Sequence, residues 1–91
     1  MDIFVRLENF KQLKERILKR IDGILDKMVS QESQLYGNLD KKKFLDYLEK
    51  IMDKRRTEVR KLDLVSDIEL EKRIKEIIYS LELKHIENFR L

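Results

Sequence analysis

VSDIEL, residues 65–70, is the stretch that decides how this chain folds. Ser66 and Glu69 have the S-x-x-E spacing of a capping box, in which the serine oxygen accepts the N–H of the third helical residue. Val65 and Leu70 stand where a hydrophobic staple joins the residue before the cap to the fourth helical residue. The stretch therefore predicts a turn followed by a new helix that begins directly after Ser66.

Two helices are predicted on either side of this turn. The second helix of the chain, capped by Asp40, runs from about 41 to 63, and the third from about 67 to 90. The short link between them favours an antiparallel helical hairpin. One continuous bent helix from 41 to 90 is the alternative.

The first helix is predicted from about 3 to 29, after a cap at Asp2, because apolar residues recur there every three or four positions. Leu18, Leu25 and Val29 widen its apolar arc to roughly 160°, more than the ~100° of a helix that rests on one neighbour. We therefore expect it to contact more than one helix. The apolar pattern fails over residues 30–40, where the pair Gly37 and Asn38 predicts the main loop.

These segments predict an all-α fold. We expect residues 1–91 to form one domain, a three-helix up-down-up bundle, which oligomerisation completes into a larger bundle.

The composition excludes several kinds of site. The chain has 42% hydrophobic and 43% charged residues, two glycines, no cysteine and one histidine. Disulfides and thiolate chemistry are therefore excluded, and a structural metal or cofactor is not expected. No catalytic motif occurs, so we expect a non-enzyme. No apolar run approaches ~18 residues and the first residues lack a signal pattern, which predicts a cytoplasmic protein without membrane contact.

The third helix has apolar residues on two sides. Beside the stripe that faces the core, a second seam lies on its outer side, which predicts an interface with a second copy or another protein. The alternative is that the N-terminal segment or the loop at 30–40 covers this seam. The predicted interface residues are Ile68, Tyr79, Leu83 and Ile86.

Basic residues form two stripes that predict a polyanion as an alternative partner. The first lies on helix one beside Gly23 and the second on helix two, and residues 1–65 carry the net positive charge. Acidic neighbours also fit an ordinary solvated face, and interleaved aromatics are missing. The predicted nucleic-acid contacts are Arg16, Arg20, Lys27, Lys43, Lys50, Lys54 and Lys61.

Two further residues stand out on apolar faces. Arg55 interrupts the apolar face of helix two, so it must pair with an acid such as Glu58, extend to solvent, or line an anion site. His85 lies on the core stripe of helix three, which favours a hydrogen-bonded core residue over a general base.

Three functions are consistent with these patterns. The leading hypothesis is a non-catalytic helical interaction module that acts through homo-oligomerisation or a protein partner. The main alternative is a nucleic-acid-binding accessory protein. The third is a small enzyme whose dimer buries Arg55 and His85 around an anionic substrate.

Overall fold

Five α-helices and one 3-10 helix follow one another along the part of the chain that the computed structural model describes. It describes residues 3–82 and 86–91, and for residues 3–8 the backbone alone. The elements are α1 (Ile3–Gln31), α2 (Ser33–Tyr36), α3 (Lys41–Lys54), α4 (Arg56–Leu62), α5 (Asp67–Glu82) and a 3-10 helix (Ile86–Phe89). Over the two described ranges the β-structure is a single isolated bridge between Leu39 and Arg90. The predicted all-α class is therefore confirmed.

Helix α1 is the element against which the others pack. It contacts α2, α3, α4 and α5. Ile17 and Leu25, on different sides of its wide apolar arc, are completely buried. The expectation that this helix contacts more than one other helix is confirmed. It ends at Gln31, two residues beyond the prediction, and α2 forms inside the predicted loop.

The predicted second helix, from 41 to 63, is divided at Arg55. This residue has a non-helical φ of −129° and ψ of 56°, and it closes α3 by donating its N–H to the carbonyl oxygens of Ile51 and Met52. A straight helix would place the guanidinium group on the apolar face, where desolvation is costly. The break leaves Arg55 in solvent and still allows Val59 of α4 to be buried.

The turn predicted between the second and third helices is present. The Ser66 hydroxyl accepts a hydrogen bond from the Glu69 N–H at 3.2 Å, and the Leu70 N–H bonds to the Ser66 carbonyl at 2.9 Å. The Glu69 carboxylate pairs with Arg73 at 3.4 Å. Ser66 therefore caps α5, and the alternative of one continuous helix from 41 to 90 is wrong.

The predicted extension of the third helix to residue 90 is also wrong. Helix α5 is described to Glu82, and Ile86–Phe89 is a 3-10 helix. The reason lies in the residues that follow: the Asp40 N–H bonds to the Phe89 carbonyl at 2.6 Å, and the Leu91 N–H bonds to the Asn38 carbonyl at 2.7 Å. These bonds satisfy backbone groups of the loop that a longer helix would leave unpaired.

An aromatic cluster holds this C-terminal segment on the bundle. The Phe89 ring lies 6.3 Å from that of Phe44 and 5.1 Å from that of Tyr47, in edge-to-face arrangements. Phe44 is fully buried. The segment thus covers one end of the core with favourable aromatic contacts.

Candidate functional site

Helix α5 presents an exposed side that is apolar at both ends. Ile68 is 83% exposed and Tyr79 is 64% exposed, and the two lie about 16 Å apart along the helix at 1.5 Å per residue. A shallow concave strip joins them, with Glu71, Lys72, Lys75 and Glu76 along it. We call these six residues the α5 outer face.

The other two residues of the predicted seam do not extend this face. Ile86 lies in the 3-10 helix, where it is half-buried and packs against the core. It therefore lies against the core and not beside Ile68 and Tyr79, because the segment Ile86–Phe89 is a 3-10 helix. Leu83 lies outside the described residues.

The predicted basic stripe on α1 is occupied by contacts within the chain. Arg16 donates to both carboxylate oxygens of Asp63, at 3.2 and 2.9 Å. Arg20 bonds to Asp67 at 2.7 Å and to the Val65 carbonyl at 2.8 Å. These arginines therefore fix the turn between α4 and α5 to α1.

Charge coupling between Arg16 and Asp63 changes their acidity. The hydrogen bonds from Arg16, and then its positive charge, lower the pKa of the Asp63 carboxyl. The same hydrogen bonds raise the pKa of Arg16. Both groups therefore hold their charged forms in the folded protein.

Two lysines that the sequence analysis did not single out join α1 to α3. Lys14 lies 2.8 Å from Asp53 and 3.2 Å from Glu49. Its hydrogen bond to Asp53 is the main cause of its raised pKa. Lys41 makes a corresponding contact with Asp26 at 2.6 Å. Only the packing of the helices brings these distant residues together, so no local pattern could have found them.

Lys27, at the end of the α1 stripe, makes a looser contact, with its amine 3.9 Å from Glu71. Beside it, Gly23 borders an open groove between α1 and α5, where an added Cβ would meet no atom within 4 Å. There is therefore open space beside this glycine, and nothing in the described structure fills it.

The four lysines of the stripe predicted on the second helix differ in their contacts. The Lys43 amine lies 3.8 Å from Asp40, the residue whose side chain caps α3. Lys50, Lys54 and Lys61 are exposed, and no ion pair joins them to another described residue.

Arg56 and Arg60 are exposed beside these lysines and were missed. The Arg56 guanidinium lies 4.7 Å from the centre of the Phe10 ring, within cation–π range. The predicted stripe was chosen by helical spacing, which omits these two arginines. Counting the basic residues of segment 50–61 would have included both.

Arg55 does not line an enclosed anion site. Its side chain is 67% exposed and lies 3.6 Å from Glu58, so it both extends to solvent and lies beside the acid named in the sequence analysis. Both residues border an apolar recess of about 210 Å³ between α3, α4 and α5, with Val59 and Ile77 in its walls. Arg55 therefore has its own carboxylate beside it, and the recess offers an apolar surface.

No group of three or more metal-ligating side chains is found within the described part of the chain. His85, for which a core position was predicted, lies outside it. None of the described helices is long and apolar enough to cross a membrane.

No protein family matches the sequence, and the chain matches no curated protein and no solved structure.

Proposed function

We propose that this protein is a non-catalytic helical interaction module that associates through the α5 outer face with a second copy of itself or with a helix of another protein. The observation that carries the proposal is the exposure of Ile68 and Tyr79 on the side of α5 opposite its buried stripe. That stripe consists of Leu70, Ile74, Ile78 and Leu81. A helix that is apolar on two sides is stable in water when both sides are covered.

The charges between the two apolar residues also suit a helical partner. Lys72 and Lys75 lie between Glu71 and Glu76, so the four side chains carry no net charge. Lys75 already lies 3.5 Å from Glu32, and Glu71 lies 3.9 Å from Lys27. This leaves Lys72 and Glu76 to pair with the opposite charges of a second copy across a two-fold axis. Aliphatic parts of the lysine chains would lie against apolar neighbours while their amines reach the acids.

We further propose the up-down-up order for α1, the α3–α4 pair and α5. The ion pairs that support it are Lys41–Asp26, Lys14–Asp53, Arg20–Asp67 and Lys27–Glu71. In the first two pairs residue numbers rise in one helix as they fall in the other. In the last two they rise together, as in helices that run in the same direction.

Molar mass measured by light scattering tests the association. We expect the wild-type protein to exceed its 11.2 kDa monomer mass at high micromolar concentration. The double variant Ile68→Lys with Tyr79→Glu should be monomeric and still helical by circular dichroism, because it places charges in an apolar contact at no change in net charge.

The control is Leu35→Lys, since Leu35 is 68% exposed and belongs to α2, not to the six residues of the α5 outer face. This variant should keep the wild-type mass. A wild-type protein that stays monomeric at high micromolar concentration refutes self-association. A double variant that unfolds without dissociating shows that the face belongs to the monomer's own core.

A further inference from the structure

We propose that the outer surface of α3 and α4 binds the phosphate backbone of double-stranded nucleic acid, independently of its base sequence. The surface consists of Lys50, Lys54, Arg56, Arg60 and Lys61, and we call it the basic surface. It lies on elements other than α5, so this proposal goes beyond the association described above.

Positive charge is concentrated on this part of the chain. Residues 50–61 contain six basic and two acidic residues, a net charge of +4, whereas the whole chain carries +3. The remaining residues together therefore carry a net charge of −1. A basic cluster in a chain that is otherwise nearly neutral is the electrostatic pattern expected of a phosphate-binding surface.

The two acids of residues 50–61 each lie beside a cation that is not part of the basic surface. Asp53 accepts a hydrogen bond from Lys14 of α1 at 2.8 Å, and Glu58 lies 3.6 Å from Arg55. Each acid thus has its own cation. The five side chains of the basic surface are exposed, and none is ion-paired with another residue in the described part of the chain.

The arginines of the α1 stripe differ from the residues of the basic surface because they are paired with acids. Arg16 and Arg20 are hydrogen-bonded to Asp63 and Asp67, so a phosphate could bind them only by displacing carboxylates that hold the turn. The basic surface has no such competitor among the described residues. Contact with phosphates there would release counterions without breaking an ion pair of the described structure.

The arrangement also suits a duplex better than a single strand. The surface extends about 6 Å along α3, from Lys50 to Lys54, and about 7.5 Å along α4, from Arg56 to Lys61, at 1.5 Å per residue, and duplex DNA carries one negative charge per about 1.7 Å of its axis. Single-strand platforms require exposed aromatic rings for stacking. Phe10 is buried beneath Arg56, and Tyr47, one turn before Lys50, is half-buried against Phe44 and Phe89.

Binding to a fluorescent 20-base-pair DNA duplex, followed by anisotropy from 50 to 200 mM salt, tests the proposal. Five phosphate contacts predict a log–log slope of about −4.5, which is roughly a 500-fold loss of affinity over this range. Replacing two lysines, Lys54→Gln with Lys61→Gln, should weaken binding and make the slope less steep by about two units.

The matched control, Lys19→Gln with Lys41→Gln, removes the same charge outside the basic surface, since Lys19 is exposed on α1 and Lys41 lies 2.6 Å from Asp26. It should leave the slope nearly unchanged, and circular dichroism should show both variants folded. Equal losses in the two variants would mean a diffuse effect of net charge and would overturn the proposal. Undetectable binding at 50 mM salt would overturn it too, as would competition by polyglutamate as effective as that by unlabelled duplex.

Discussion

At the residue scale, the Arg16–Asp63 pair couples stability to pH. Because Arg16 lowers the folded pKa of Asp63, the pair stabilises the fold above the ordinary aspartate pKa of about 3.9 and loses this contribution as pH falls through the lower folded pKa. Arg16→Gln should therefore lower the free energy of unfolding at neutral pH, by an amount that shrinks below about pH 4. Urea unfolding of both proteins from pH 7 to pH 3 measures this difference.

Lys27→Gln serves as the comparison for that experiment, because its amine lies 3.9 Å from Glu71 without a hydrogen bond. Its effect on the free energy of unfolding should be smaller and should vary less with pH. An Arg16→Gln effect of the same size at pH 7 and pH 3 would contradict the coupling to Asp63.

The same pair shows what the sequence could reveal about single residues. Glu58 was predicted as an acid for Arg55 because the two lie one turn apart in the sequence. Asp63 is 47 residues from Arg16, so their contact depends on how α1 and the α4–α5 turn pack. The basic stripe on α1 was therefore visible in the sequence, whereas its neutralisation within the chain was not.

At the scale of elements, the cap of α5 is the feature to test. Ser66→Ala removes the oxygen that accepts the Glu69 N–H and should lower the free energy of unfolding by about 0.5–2 kcal/mol. Ser80→Ala is the control, because Ser80 is exposed within α5 and alanine is the better helix former. Chemical denaturation should show a loss for the first variant and none for the second. Equal stability of Ser66→Ala and wild type would be the contrary result.

Sequence patterns predicted the start of α5 but not the end of the third helix. The start of α5 follows from Ser66 and Glu69, which act within one turn. The predicted end of the third helix was wrong. Residues 86–91 have apolar residues at a helical spacing, which suggested a continued helix, but Phe89 packs against Phe44 and Tyr47 of α3. The packing of Phe89 on aromatic residues more than 40 positions away cannot be predicted from the sequence of residues 86–91.

At the scale of the whole molecule, the α5 outer face and the basic surface lie on different helices that all pack against α1. The all-α class and the central role of α1 followed from periodicity, since the width of an apolar arc reports how many neighbours a helix has. The pattern also predicted Ile68 and Tyr79 as outward residues, and both are exposed. The basic surface was predicted only in part, because which cations stay unpaired depends on the folded positions of the acids.

The two surfaces should act independently. Ile68→Lys with Tyr79→Glu leaves the net charge unchanged and touches no residue of the basic surface. We therefore expect it to reduce molar mass without changing the affinity of the monomer for the duplex. Lys54→Gln with Lys61→Gln should weaken duplex binding while preserving the wild-type mass. Effects at separated sites without shared partners are expected to add.

Combining all four substitutions in one chain measures this additivity. Its loss of duplex affinity should equal that of the two-lysine variant, and its mass should equal that of the α5 variant. If the α5 variant alone also lost duplex affinity, two copies would have to bind the duplex together, since a dimer presents two basic surfaces and gains affinity from a raised effective concentration. Titrations at protein concentrations below and above the self-association midpoint distinguish these cases, because only the coupled one becomes cooperative.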